Sequence, residues 1–257
     1  VTAAASPALL HDAWEFVPGT PGAAVALCCE HASARIPEPW RVAGPDRPWM
    51  ETHWAIDLGA RALTLDLARR LGAPAVLARF NRLLCDANRP EHAPDLCRPE
   101  VEGHTLSFNR EVDAAERQRR LARFHRPYHA RIDQMLAESP AQLLFSVHTF
   151  TPRYLDQVRE VQLGVLFDLH DALGARLAAL LEPTGLVVEQ NAPWSGKAGL
   201  AYSPDRHGRA AGIPYLELEV RNDLLQTPDS VTAISFAVAE ALSAMLEDPQ
   251  LRAEDGR

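Results

Sequence analysis

The chain has 257 residues, 47% of them hydrophobic, so it can bury a substantial core, and length alone allows one large domain or two small ones. A formal net charge of −8 with no visible run of basic residues argues against nucleic acid as the main partner and points to a small molecule. No window reaches the ~20 apolar residues of a membrane span, Val1 to Leu10 lack the basic and apolar regions of a leader, and the four cysteines have neither ribbon spacing nor scaffold density, so a reducing cytoplasm is expected.

Short apolar runs alternate with helical stretches, which predicts an α/β fold with a largely parallel or mixed sheet. The first strand is predicted at 23–29, where Val25-Ala26-Leu27-Cys28-Cys29 runs into Glu30-His31-Ala32-Ser33; the vicinal thiols read as core. Thr52 to Leu71 carries Ile56, Leu63, Leu67 and Leu71 at helical spacing and meets Gly72, so a helix with a glycine stop is predicted there. Strands are predicted at 75–79 and 82–86. Segments 37–51 and 87–110, rich in proline, glycine and charge, read as loops of a length that is often functional. Asp113 to Leu136 reads as a long helix bent near Pro127, with Arg117, Arg119, Arg120 and Arg123 on a solvated face. Further strands are expected at 142–147, 161–167, 185–189 and 214–221, and amphipathic helices at Leu169 to Leu181 and Val231 to Leu246, the second closing the domain. No repeat, low-complexity tract or linker divides the chain, so residues 1–257 read as one domain.

Three of these strands end in residues suited to metal binding or acid–base chemistry, and the crevice beyond strand carboxyl ends is where open α/β sheets put their sites. A catalytic zinc takes three protein ligands and keeps a position for water. His31 and His148, each close behind an apolar run, are the best two. His53 and Asp57 are four residues apart and, on a helix, would share one face; either binds the metal while the other orients a ligand. Arg82 and Arg89 flank a short apolar run and offer planar forks for an anionic substrate, or pair with Asp86. Strand alternation sends Glu217, Glu219 and Arg221 to one face, and Glu219 is the candidate general base. These features read together as a zinc hydrolase.

The motifs Glu30-His31-Ala32-Ser33 with Ile36-Pro37, His53-Trp54-Ala55-Ile56-Asp57-Leu58-Gly59-Ala60, Arg82-Leu83 with Cys85-Asp86-Ala87-Asn88-Arg89-Pro90, Pro127-Tyr128-His129, Ser146-Val147-His148-Thr149-Phe150-Thr151-Pro152, Asn191-Ala192-Pro193-Trp194-Ser195 and Glu219-Val220-Arg221-Asn222-Asp223-Leu224 follow in order. Over about residues 23–245 this set resembles the N-formylglutamate amidohydrolase family, in a divergent branch, and through it the zinc carboxypeptidases and the succinylglutamate and aspartoacyl hydrolases. The resemblance implies a three-layer α/β/α fold with a central mixed sheet. It also implies hydrolysis of an N-acyl, such as N-formyl, acidic amino acid through a water activated by zinc or another divalent transition metal. Under it His31 and His148 bind the metal, Glu219 is the base, Arg82 faces the oxyanion, and Asn88 and Arg89 hold the substrate carboxylate, with Arg221 a further substrate contact. The carboxypeptidase pattern has a glutamate three residues after its first zinc histidine, where this chain has Ala34, so the third ligand is expected at His53, with Asp57 the alternative. Arg153, Lys197, Arg206 and His207 are candidates for reading a side-chain carboxylate and equally for surface charge. The rivals are a carboxypeptidase or cell-wall amidase on the same centre, and a binder of anions without turnover; a binder has no use for Glu219.

Overall fold

The structure, a computed structural model, describes residues 8–248; Val1 to Pro7, most of the segment read above for a leader, lie outside them, as do residues 249–257. In chain order the strands are β1 (Leu9–Leu10), β2 (Trp14–Val17), β3 (Val25–Cys29), β4 (Ala75–Ala78), β5 (Glu100–Val101), β6 (His104–Thr105), β7 (Leu143–Phe150), β8 (Arg153–Tyr154), β9 (Gln157–Val158), β10 (Leu163–Leu166), β11 (Val188–Gln190) and β12 (Tyr215–Arg221). The α-helices are α1 (Ala60–Leu71), α2 (Ala114–Arg120), α3 (Arg126–Glu138), α4 (Asp171–Leu181), α5 (Tyr202–Ala211) and α6 (Pro228–Glu247).

Eight strands form one mixed sheet in the order β1-β2-β4-β3-β7-β12-β10-β11. Its centre, β4-β3-β7-β12, is parallel, while β2 and β10 join antiparallel on either side. Because side chains alternate along a strand, β3 sends Leu27 and Cys29 to one core and Ala26 and Cys28 to the other. The first core is closed by α1, α4 and α6, and the second by α3 and the turn ahead of it, with α5 packed on β7 and β12 from the same side as α3. This is the three-layer α/β/α arrangement with a mixed central sheet. The last helix, α6, is long and apolar enough to cross a membrane on length and composition, yet it packs on α1 and α4 as a core helix. Its start is a capping box, in which Thr227 Oγ1 accepts from the Ser230 amide at 3.1 Å and Ser230 Oγ accepts from the Thr227 amide at 3.1 Å.

Several predicted elements differ from the structure, each for a local reason. The helix expected from Thr52 starts only at Ala60, because Gly59 takes φ +88° and reverses the chain ahead of it. Residues 52–58 are therefore turns. No strand forms at 82–86: Asn81 Oδ1 accepts from the Leu83 amide at 2.8 Å and the Leu84 amide bonds to Asn81 O at 3.0 Å, so the run is coiled into a turn. The long helix predicted over 113–136 is present from Ala114 to Glu138, but it passes through a π turn over Leu121–His125 between α2 and α3. Pro127 has no N–H to give to the preceding turn, and the wider π turn absorbs the missing bond. Helix α5 lies where the sequence reading places no element; Gly208 within it is required, as a Cβ there would lie 2.5 Å from the Tyr215 ring.

Candidate metal centre and active site

The carboxyl ends of β3, β7 and β12 face one cavity, and two of them deliver histidines to it. Glu30 and His31 follow β3 directly, and His148 lies within β7, all three buried. The turn before α1 supplies Asp57, whose backbone amide bonds to His31 O at 3.1 Å, so ligand and turn are fixed to each other. The three side chains converge: His31 Nδ1 and His148 Nδ1 are 3.1 Å apart, and Asp57 Oδ2 lies 3.3 Å from the first and 2.9 Å from the second. A zinc tetrahedron with arms of ~2.0–2.1 Å has edges of ~3.3–3.4 Å, so the spacing fits a shared cation.

Protons decide the matter further. His31 Nε2 is 2.8 Å from Asp86 Oδ1 and His148 Nε2 is 3.0 Å from Glu30 Oε2, and a carboxylate can only accept. With a cation at the point the three side chains share, each imidazole would carry its proton on Nε2 and turn the Nδ1 lone pair inward, beside the Asp57 carboxylate. Three acceptors would then face one point, an arrangement that calls for a positive charge among them. The electrostatics agree: burial alone would lower the pKa of His148, yet Glu217, Asp57 and Glu30 raise it well above the ordinary value. Burial would raise Asp57, but His31, His148 and Arg82 hold it far below the carboxylate range.

Two more carboxylates reach the cavity from β12. Glu219 stands opposite His148 on the neighbouring parallel strand, and Glu217 opposite Ser146, with Glu217 Oε2 at 3.6 Å from His148 Nε2. Burial above all, helped by Glu30 and Asp57, pushes Glu217 up to about 7 against the pull of His148. Burial together with Glu217 and Asp57 pushes Glu219 well up, and its Oε2 is buried with no hydrogen-bond partner among the described residues. A carboxyl raised in this way is suited to taking up a proton and giving it back. Behind it β10 passes at Gly164, where a Cβ would lie 1.8 Å from Ala192 O, so only glycine lets the 191–195 loop close over the strand beside Glu219. Glu30, by contrast, is held low despite burial by His148, Ser146 and Ser203, and the Tyr128 hydroxyl donates to it at 3.1 Å.

The cavity has a volume of about 270 Å³ and is lined by His31, Asp57, His148, Glu217 and Glu219 at its base and by His53, Arg82, Asn88 and Arg89 around them. The structure therefore brings His31, His148 and Asp57 together and leaves His53 outside the set. His53 packs on Trp54 with ring centroids 4.9 Å apart, and its Nε2 meets no partner among the described residues. The shared helical face expected for His53 and Asp57 does not exist, because their segment is a turn. Arg82 braces the centre, donating to Asp57 Oδ1 at 3.0 Å and to Asp86 Oδ2 at 3.4 Å, while its side chain remains part of the cavity wall. The Asn88 side-chain amide is already engaged, its Nδ2 donating to Leu200 O at 3.2 Å and its Oδ1 accepting from the Ser203 amide at 2.9 Å. Arg89 is tied by Nε to Asp95 at 3.2 Å. Arg221 is not in the wall; it pairs with Asp223 and donates to Arg159 O at 2.9 Å.

Sequence reasoning passed over Glu30 and Arg159, and gave Asp86 only as a partner for an arginine, which Arg82 bears out. Glu30 and Asp86 sit inside motifs already quoted, and an acid next to a ligand histidine is the signal that could have drawn attention to Glu30. Arg159 lies in no motif. Of the four positions offered for a side-chain carboxylate, Arg153, Lys197, Arg206 and His207, none lines the cavity; Lys197 pairs with Asp171 and His207 is buried against His129 and Asp133.

Residues 23–226 match the N-formylglutamate amidohydrolase family. A search of curated proteins gives no match. Among solved structures, the gene product Atu2144 from Agrobacterium tumefaciens is 30% identical with a TM-score of 0.85, covering 92% of this chain and 97% of that one. N-formylglutamate amidohydrolase from Ralstonia eutropha is 17% identical with a TM-score of 0.68, over 95% of this chain and all (100%) of that one, and is alike in fold. The tripeptide-bound cell shape determinant protein Csd4 from Helicobacter pylori shares the fold at 11% identity and a TM-score of 0.51, over 92% of this chain and 56% of that one.

Proposed function

The chain belongs to the N-formylglutamate amidohydrolase family, whose members are hydrolases of amides, and we propose that it cleaves the N-acyl amide of an acidic amino acid, such as N-formylglutamate, using zinc or another divalent transition metal held by His31, Asp57 and His148. The observation that carries this reading is the convergence of two imidazole Nδ1 atoms and a carboxylate oxygen within 3.3 Å beside Glu219. Asp57, the alternative third ligand, is preferred here to His53, a reading supported by its oxygen lying in the set where no atom of His53 does.

When bound, such a metal supplies Lewis acidity to a carbonyl oxygen and a hydroxide equivalent at neutral pH. The protein's own residues do the rest. Glu219 takes a proton from the attacking water and returns it to the leaving nitrogen, a double task that suits a carboxyl whose pKa burial has raised. Arg82, fixed by Asp57 and Asp86, faces the developing oxyanion, a contribution of roughly 3–4 kcal/mol for such a donor. Arg89 holds the substrate carboxylate, and Asn88 keeps the Arg89 loop in place by clamping the start of α5. Asp86 and Glu30 fix the tautomers of the two histidines. A cavity of about 270 Å³ supports a single amino acid derivative over a peptide, and a partnerless buried Glu219 supports turnover over mere binding.

The test is metal analysis of purified protein with release of formate from N-formylglutamate, beside Glu219→Gln. About one metal per chain is expected, in line with a three-ligand site, with turnover lost and metal retained in the variant. An active Glu219→Gln protein would remove the assigned base.

A further inference from the structure

Arginines are prominent in the cavity wall, and most of them are spoken for. Arg82 is paired with Asp57 and Asp86, while Arg89 and Arg98 both reach Asp95. Arg159 differs: among the described residues no carboxylate lies within ion-pair distance of it, and its side chain lines the same cavity. Its only side-chain hydrogen bonds run from Nη1 to Thr151 O at 3.2 Å and Thr151 Oγ1 at 3.3 Å, which leaves Nε and Nη2 without a partner among the described residues. Aromatic rings hold the guanidinium in place, with its carbon 4.6 Å from the Trp194 centroid, 5.1 Å from Tyr154 and 5.6 Å from Phe150. Stacking of this kind stiffens the flat group and leaves its N–H edge for a planar anion.

The backbone of Arg159 is equally constrained. Its amide bonds to Pro152 O at 2.9 Å across the base of the β8–β9 hairpin, and its carbonyl accepts from Arg221 Nη1 at 2.9 Å. Arg221 is two residues beyond Glu219 on β12 and is locked by Asp223, so one strand positions both the proposed base and Arg159. An unpaired cation held at this level of order beside a catalytic centre is a recognition element. A surface charge would not be caged.

We infer that Arg159 is the specificity-determining residue of this site, taking the side-chain carboxylate of the N-acyl acidic amino acid, distinct from the carboxylate held by Arg89. This rests on the amide hydrolysis proposed above. The carboxylate would meet Nε and Nη2 as a fork, and a neutral amide of the same shape would leave that cation unpaired and partly desolvated.

Two measurements separate the selectivity from the chemistry. Calorimetry on metal-loaded Glu219→Gln protein, with and without Arg159→Met, reads binding of N-formylglutamate against N-formylglutamine without turnover. Affinity for the dicarboxylate should fall on the order of 100-fold with Arg159→Met, while that for the amide stays within about 3-fold. Arg159→Lys keeps the charge but not the fork and should recover about a tenth of the original affinity. Formate release by protein with Glu219 intact should show the same loss in kcat/KM, mostly through KM. Equal losses for both ligands, or none for either, overturn the assignment of Arg159. Selective binding without formate release leaves Arg159 in its role and overturns the hydrolytic reading instead.

Discussion

Each histidine of the cluster spends one nitrogen on a carboxylate outside it and keeps the other for the inside, so Asp86 and Glu30 matter as much as the ligands they orient. Carboxylates that orient metal-bound histidines typically add 10–100-fold to metal affinity. Asp86→Asn weakens the acceptor for His31 Nε2 and also loosens the Arg82 brace, so metal affinity should drop by about that factor, read by competition with a chelator of known strength. An unchanged affinity would show that His31 needs no such orientation. Here lies the limit of what the residues alone disclose. His31 and His148 stand out because each follows an apolar run closely, but the choice between His53 and Asp57 turns on Gly59, whose positive φ ends the turn and aims Asp57 inward. Four-residue spacing suggests a helix pair only if a helix is there.

Between elements, α3 and α5 are joined through a buried chain of imidazoles that serves no role in the proposed chemistry. His129 on α3 meets His207 Nε2 on α5 at 2.7 Å and His125 Nε2 at 3.2 Å, while His207 Nδ1–H donates to Asp133 at 2.6 Å and His125 Nε2–H to Arg89 O at 2.8 Å. All three rings can be neutral with every N–H pointing to an acceptor. Burial first, then the neighbouring His125, His207 and Arg206, holds the pKa of His129 well below the ordinary value. The unfolded chain binds that proton near pH ~6.5 and the folded one does not, so stability is full above this point and falls as pH drops toward the depressed folded value. In metal-loaded protein the slope of unfolding free energy between pH 6.5 and 5 should be shallower for His129→Gln, by about 1.4 kcal/mol per pH unit at its steepest. Urea melts across that window measure it, and equal slopes would mean that His129 is protonated in the fold. Nothing in the spacing of His125, His129 and His207 discloses this chain, because α5 itself is hidden behind Pro204 and Gly208. The sheet is legible for the opposite reason: β3, β4, β10 and the start of β7 are buried on both faces and read as continuous apolar runs, while β12 shows itself by alternation. The same rule misreads Leu83-Leu84-Cys85, where the Asn81 side chain coils an apolar run into a turn.

At the scale of the molecule, the candidate centre is assembled from β3, β7, β12 and the two turns at 52–59 and 81–86, and no one of these contains it. Glu30, Asp57, Asp86, Glu217 and Glu219 are all buried there, in a chain whose formal net charge is already −8. Without a cation these carboxylates repel one another in a medium that screens poorly, and the pKa values of Glu217 and Glu219 rise in consequence of burial and of this crowding. A cation that binds only where all the strands have come together stabilises the folded state by mass action, about 2.7 kcal/mol at a free concentration 100 times its dissociation constant. For a chain of this size each kcal/mol moves the midpoint by ~2–4 °C, so zinc should raise Tm by roughly 5–11 °C over chelator-treated protein. Asp57→Asn removes the ligand charge and should abolish most of that rise, whereas His53→Gln, outside the cluster, should retain it. Scanning calorimetry of the three proteins with and without zinc distinguishes the two candidates for the third ligand: a rise lost in His53→Gln and kept in Asp57→Asn would return the assignment to His53, and no rise in any of them would leave the buried carboxylates without the partner their geometry demands.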